Sequence, residues 1–353
     1  MSTTSGDGSD FGRSFTDHMA LIACTDGIWE ETRVVAHAPI PLSAAASGLH
    51  YGQAIFEGLK AYRQPDGDVA LFRVDDHARR FQTSAERMAM PALPVARFVE
   101  ACSLLVAADE ASVPWESGHT LYLRPLMIAT TPRLGVQPAS EFLVVVIASP
   151  VGAYLDSGHR AWTVTTARDQ VRAAPGGTGN AKCAGNYGAS LAARRDAIRE
   201  GYDEILWLDA SEHRWIEELS AMNLFIVEQR ASMTPTLVTP PLGDTILAGI
   251  TRASILELAV HLGYQTREAA IAIDQWCADT ARGIISEAFA CGTGAVLAPI
   301  GSVHDGRTTW NIGDGNPGPV TVALRTALLD LHEGRTADPF GWRVPLRLAT
   351  SVP

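Results

Sequence analysis

Apolar positions along this chain recur with two different periods. Short stretches that are apolar throughout or alternate predict strands at 21–29, 58–63, 120–129, 141–148, 203–208 and 215–227. Longer stretches with apolar residues three and four apart predict helices. In 251–262, Ile255, Leu258, Ala259 and Leu262 share one face and Gly263 stops the helix; in 320–332 that face is Val320, Leu324, Leu328 and Leu331. Further helices are expected at 76–89 and 186–200, the latter with Tyr187, Leu191 and Ile198 on one face and Gly201 as its end. The strands 120–129 and 141–148 read as a pair joined by 130–140, a loop with two prolines and a glycine, long and irregular enough to serve a function. No internal repeat or low-complexity tract interrupts this mixture, which is that of an α/β protein with mixed α and β elements.

A chain of 353 residues, 46% of them hydrophobic, can bury a large core and is long enough for two domains. Residues 151–162, with two glycines, two charges and little apolar periodicity, are the expected interdomain linker. They separate a small domain at 11–150 from a large one at 163–353, behind a disordered tail at 1–10. That tail has neither a basic start nor an apolar core, unlike a signal or transit peptide. The longest strongly apolar run, 142–148, is too short to cross a membrane and suits a buried strand. A net charge of −11 argues against nucleic acid, which needs clustered Lys and Arg. Five cysteines without a CxxC pair, and ten histidines without an HExxH spacing, indicate neither a disulfide framework nor a metal site. A soluble cytoplasmic protein with a small-molecule ligand is the expectation.

The stretch PGGTGNAKCAGNYG at 175–188 sets Lys182 among five glycines. Glycines allow close backbone approach, so the cluster suggests space kept for a ligand around one amine. A nucleotide loop, GxxxxGK[ST], fails on Ala181 and Cys183, and the dinucleotide pattern GxGxxG fails because its third glycine is Lys182 itself. These mismatches count against a non-enzymatic nucleotide-binding module. A lysine that loses hydration favours the neutral amine that Schiff-base chemistry needs, and pyridoxal phosphate is the obvious aldehyde. Such a cofactor wants a carboxylate at its ring nitrogen, a donor near its phenolic oxygen and a phosphate cradle. Glu217 or Glu218 can supply the carboxylate, and an acid there needs a positive partner. The loop 242–251 runs into a helix N-terminus, so Ile250 and Thr251 suit a phosphate. A second small-residue loop, 291–295, carries Gly292, Thr293 and Gly294.

The stretches LHYGQAIFEGLKAY (49–62), LYLRP (121–125), KCAGNYG (182–188), ELSAMN (218–223), PLGDTILAGITR (241–252) and EAFACGT (287–293) resemble the branched-chain amino-acid aminotransferases, in that family's order and over nearly the whole chain. The resemblance implies fold type IV of the pyridoxal-phosphate enzymes, with two α/β domains and the cofactor at their interface. It makes Lys182 the Schiff-base lysine and proton shuttle, Tyr187 the partner of the phenolic oxygen, and Glu218 the acid at the ring nitrogen. Arg80, Ile250, Thr251 and Thr293 become the phosphate contacts, with Arg79 a solvent-facing neighbour. Phe11, Tyr51, Phe56, Tyr122, Arg124, Ala221, Thr293 and Gly294 line the substrate pocket. Leu134 and Val136 match a loop that reaches into the partner subunit's site, which implies a homodimer. Tyr122 and Arg124, two apart on a strand, point to one face.

Many members carry threonine or glycine at the position of Ala221, and the threonine hydroxyl helps hold the substrate carboxylate. Its loss removes a hydrogen bond to a charged group, nominally about 1.5–3 kcal/mol. Water, the N–H groups of Thr293 and Gly294, or Ser220 after a backbone shift would offset it, so altered affinity or specificity is expected. Ala295 and Ala298 fall near the paired cysteines that some eukaryotic members use as a redox switch, and Cys183 reads as packing. The implied activity is transamination of L-leucine, L-isoleucine and L-valine with 2-oxoglutarate, serving branched-chain amino-acid biosynthesis. A D-amino-acid transaminase, an aminodeoxychorismate-type lyase and a transaminase of specialised metabolism remain alternatives.

Overall fold

The computed structural model describes residues 11–152, 160–230 and 233–346; the expected tail at 1–10 and most of the expected linker lie outside them. The chain divides into two compact units. The first takes the chain before Ser157, then Ala181–Ala184, and again the chain from Asp330; the second takes Ser157–Asn180 and Gly185–Leu329. A linear division at 151–162 does not anticipate the two returns to the first unit. Among the described residues no helix is long and apolar enough to cross a membrane.

In the first unit, strands β1 (His18–Thr25), β2 (Ile28–Trp29), β3 (Arg33–Ala36), β4 (Ala54–Phe56), β5 (Leu59–Arg63), β6 (Val69–Phe72), β7 (Thr120–Ala129) and β8 (Glu141–Val151) form one sheet with helices α1 (Ser47–Tyr51), α2 (Val74–Arg87) and α3 (Val95–Ala108). Its backbone is the long antiparallel β7–β8 ladder, in which Leu123 faces Ala148 and Met127 faces Val144. These residues are fully buried and share a core with Phe81 of α2 and Phe98 of α3, whose rings lie 5.4 Å apart. The expected strand 21–29 is two strands. Asp26 and Gly27 both take positive φ, 49° and 79°, the two-residue turn whose twist matches an antiparallel hairpin.

In the second unit, β9 (Trp162–Thr166), β10 (Glu204–Leu208), β11 (Ile216–Leu219), β12 (Asn223–Glu228), β13 (Thr236–Thr239), β14 (Gln265–Glu268), β15 (Ile285–Gly292), β16 (Val296–His304) and β17 (Thr309–Asn311) form a second, mixed sheet. Helices α4 (Ala184–Arg199), α5 (Ile250–His261), α6 (Ile273–Ala281) and α7 (Pro319–His332) accompany it. The expected strand 215–227 is broken between β11 and β12 by a turn in which the Leu219 N–H donates to the Met222 carbonyl at 2.8 Å. On α4, Leu191 and Ile198 are 64% and 56% exposed. The buried face is Asn186, Ser190, Ala193 and Ala197, since small residues permit close approach and the Asn186 amide is held by both the hydroxyl and the carbonyl of Thr178 at 2.7 Å. On α5, Ile255, Leu258 and Ala259 are buried as expected but Leu262, at the C-cap, is exposed. Glu287 of β15 caps α7, accepting from the N–H groups of Val320 (2.9 Å) and Thr321 (2.8 Å) and from the Thr321 hydroxyl (2.7 Å).

The chain ends its described part with β18 (Arg343–Pro345), which pairs with β6 in the first sheet. Next to it His332 is buried against Tyr62 and Phe72, ring centroids 4.7 and 4.2 Å away, and its Nδ1 has no partner among the described residues. Burial, reinforced by the charge of Lys60, pushes the His332 imidazole well below its ordinary pKa. Below about pH 6.5 the unfolded chain therefore takes up a proton that the folded chain refuses, and stability falls by about 1.4 kcal/mol per pH unit. Thermal melts at about pH 7.5 and about pH 5.5 are expected to show a larger drop for the wild type than for His332→Phe; equal drops would remove His332 as a source.

Candidate functional site

Lys182 is seated in the first unit by its backbone. Its N–H donates to the buried Ser84 hydroxyl at 2.9 Å, its carbonyl accepts from the Phe56 N–H at 3.0 Å, and the next residue, Cys183, bridges to Ile55 and joins the first core. The side chain is half-buried, with Nζ 4.8 Å from the Phe56 ring centroid. One turn before Ser84 on α2 stands Arg80. Its Nε and Nη2 donate to the two oxygens of Glu57 at 2.6 and 2.8 Å, a bidentate pair, while Arg79 points outward to Asp76. Glu57 is fully buried and takes further bonds from His77 Nδ1 (2.9 Å) and the Gly58 N–H (3.1 Å). Burial alone would push this carboxyl up, yet the charge and hydrogen bonds of Arg80, with those of His77, hold it well below the usual carboxylate range. Burial pushes His77 below its ordinary value, and Glu57 only partly offsets that.

Tyr122 and Arg124 meet on β7, where Arg124 Nη2 donates to the phenol oxygen at 3.0 Å. The Arg124 guanidinium lies 4.8 Å from the Phe56 ring and Phe11 stands edge-on to Tyr122 at 4.8 Å. A Cβ on Gly58 would come 1.9 Å from the Tyr122 oxygen, so only glycine leaves room for this phenol. The Tyr51 hydroxyl donates to the Leu134 carbonyl, fixing one end of an exposed loop in which Leu134 and Val136 are 67% and 81% exposed.

In the second unit the buried Glu218 has Arg172 as its cation, Nη2 to Oε1 at 2.7 Å. Asn223 Nδ2 donates both to Glu218 Oε2 (2.9 Å) and to the Leu247 carbonyl (3.0 Å). Arg172 also reaches the carbonyls of Gly179 (3.2 Å) and Thr245, which ties the segment before Lys182 to the loop before α5. That loop ends at Gly249, the N-cap of α5, where no side chain caps the helix, and Ile250 and Thr251 form its half-buried first turn. Such a terminus presents backbone N–H groups to an anion. Tyr187 lies half-buried in the first turn of α4, its carbonyl accepting from the Ser190 hydroxyl at 2.8 Å. Thr293 and Gly294 sit in the tight connection between β15 and β16, beside the turn that carries the exposed Ala221. A Cβ on Gly292 would lie 3.0 Å from Met222 Cγ and 3.4 Å from the Ala221 carbonyl.

Two expectations change. Of the five glycines around Lys182, Gly177 and Gly179 serve close backbone approach, to Ala174 and Thr245; Gly176, which takes a positive φ, and Gly185 and Gly188 leave open space. Ser220 is buried at the end of β11, with its hydroxyl accepting the Trp207 indole N–H at 3.2 Å, so it is already engaged away from Ala221. Sequence reading missed Arg172, Asn223, Ser84, Glu57 and His77. The need for a cation at a buried acid was visible, but Arg172 lies in an irregular stretch where periodicity gives no direction.

Gly249 tests this arrangement. A Cβ there would meet Asn223 Oδ1 at 1.9 Å, so Gly249→Ala is expected to displace the amide from Glu218 and Leu247 and to cost about 1–3 kcal/mol in a urea melt; an unchanged midpoint would show that the Asn223 bridge does not brace the loop.

Residues 54–303 match the family of class IV amino-transferases. The chain is 49% identical to a "probable branched-chain-amino-acid aminotransferase" of Streptomyces coelicolor, over 94% of this chain and 91% of that one. It is 46% identical to the branched-chain-amino-acid aminotransferase of Mycobacterium tuberculosis, over 95% and 92%. Among solved structures, the branched-chain amino acid aminotransferase of Escherichia coli superposes with a TM-score of 0.76, at 28% identity over 94% of this chain and 99% of that one. A further branched-chain amino acid aminotransferase, complexed with N-(5'-phosphopyridoxyl)-L-glutamate, superposes with a TM-score of 0.74, at 28% identity over 93% of this chain and 99% of that one. With its mixed α/β units, this chain belongs to the class IV aminotransferases of fold type IV, in the branched-chain amino-acid aminotransferase family.

Proposed function

We propose that this protein moves the α-amino group of L-leucine, L-isoleucine and L-valine reversibly to 2-oxoglutarate, giving branched 2-oxo acids and L-glutamate, as a cytoplasmic homodimer with pyridoxal 5'-phosphate. The carrying observation is the Asn223 bridge. It joins a buried acid suited to a ring nitrogen and an uncapped helix N-terminus suited to a phosphate into one hydrogen-bonded piece of the second unit. The related aminotransferase complexed with phosphopyridoxyl-glutamate supports both the cofactor and glutamate as a substrate. When bound, pyridoxal phosphate supplies an aldehyde that condenses with amines and a ring that draws electrons from the adjacent carbon.

Lys182 is the amine that attaches the cofactor and then carries the substrate's α-proton. Its seat on Ser84 and Phe56 fixes the backbone and leaves the movement to the side chain. Glu218 holds the proton of the ring nitrogen, and Tyr187 donates to the phenolic oxygen. Arg80, Ile250, Thr251 and Thr293 hold the phosphate. Phe11, Tyr51 and Phe56 provide apolar walls for the branched side chain, and the exposed Leu134 and Val136 extend them into the site of a second copy. The N–H groups of Thr293 and Gly294 hold the substrate carboxylate where Ala221 offers no hydroxyl. Arg124 with Tyr122 accepts the glutamate side chain.

A half-reaction panel tests the reading: L-Leu, L-Ile, L-Val, L-Glu, L-Phe and D-Ala are added to the holoenzyme and the cofactor spectrum is followed. The branched L-amino acids and L-Glu are expected to convert it, and conversion by D-Ala alone would sink the proposal. Lys182→Ala is expected to abolish the visible band of the attached cofactor. Arg124→Ala is expected to lower kcat/KM for glutamate by about tenfold to a hundredfold, the size of a lost charged hydrogen bond of about 1.5–3 kcal/mol, and to change leucine turnover far less; equal losses would remove Arg124 from glutamate recognition.

A further inference from the structure

Beside Glu218 on β11 stands a second acid, Glu217, which none of these steps uses. It is 6% exposed and its Oε2 has no hydrogen-bond partner among the described residues. Arg172 Nε is also buried without a partner among them, since the bonds of this guanidinium to Glu218, Gly179 and Thr245 all run through Nη2. Glu217 and Arg172 both border Thr245, whose hydroxyl bonds the acid and whose carbonyl takes Arg172 Nη2, and each leaves one buried polar atom unpaired, a cost that a rearrangement would relieve. The other groups facing Glu217 do not relieve it. Thr245 gives it a hydroxyl bond, while Asp209 and Asp244 are like charges already engaged: Asp209 by the N–H groups of Ser211, Glu212, Arg214 and Trp215, Asp244 by that of Gly176. Burial pushes the Glu217 carboxyl above the usual carboxylate range, with Asp209 and Asp244 adding to the rise against Thr245 and Arg172.

We propose that Glu217 is a positioning residue whose charge decides how much of Arg172 remains to hold Glu218. Neutral Glu217 leaves the guanidinium to Glu218. Ionised Glu217 turns its unpaired oxygen to Arg172 Nε and draws the cation away, which loosens the acid at the ring nitrogen. The proposal rests on the reading of Glu218 given above.

The test uses wild-type, Glu217→Gln and Glu217→Asp holoenzymes from about pH 5 to about pH 9, following the cofactor spectrum and resolving kcat from KM. The wild type is expected to show a titration step in both the spectrum and kcat, above the usual carboxylate range. Glu217→Gln should lose that step with KM and melting temperature little changed, and Glu217→Asp should keep it. Absence of the step in the wild type, or superimposable wild-type and Glu217→Gln profiles, would overturn the proposal. Should Glu217→Gln not fold, Glu217→Asp decides: the step must move to lower pH, and an unmoved step overturns the proposal. A wild-type protein without a cofactor band would instead overturn the functional reading itself.

Discussion

A carboxylate taken out of water is tolerated only where charge and hydrogen bonds replace the lost hydration, and Glu57 and Glu218 both meet that demand with an arginine. Glu57 takes Arg80, His77 and a backbone N–H; Glu218 takes Arg172 and Asn223. Each acid recruits groups from distant parts of the sequence. The demand at Glu57 sets Arg80 on α2 in a fixed direction beside the strand that follows β4. The demand at Glu218 draws the chain before Lys182 and the loop before α5 onto one guanidinium. Positions of several residues of the proposed site follow from these two needs more directly than from any helix or strand propensity.

The elements with strong apolar patterns were legible in the sequence. β7 and β8 begin and pair where alternating and continuous apolar runs place them, and the buried stripe of α7 is the one that spacing gives. Legibility fails where polar groups decide. The turn at 220–222 interrupts an apolar run because Glu218 and Asn223 must face each other, and no hydropathy pattern encodes that. On α4 the larger apolar residues lie outside, because an asparagine and three small side chains seat the helix more closely.

The glycines around Lys182 illustrate the same limit. Composition alone suggests a uniform clearing, whereas Gly179 is there because the Thr245 backbone lies against it and Gly249 because the Asn223 amide does. Small residues in this fold therefore serve contact as often as space. The same holds at Gly58, where the absent side chain is occupied by the Tyr122 phenol.

The four-residue return of the chain at Ala181–Ala184 has a consequence for how the polypeptide can be divided. A cut near Ser157, at the apparent boundary, would leave Lys182 on one fragment and its seat, Ser84, Ile55 and Phe56, on the other. Neither fragment would hold Lys182 together with the core that secures it. A split of the chain at that boundary therefore removes the hydrogen bonds that seat Lys182, whichever fragment keeps it.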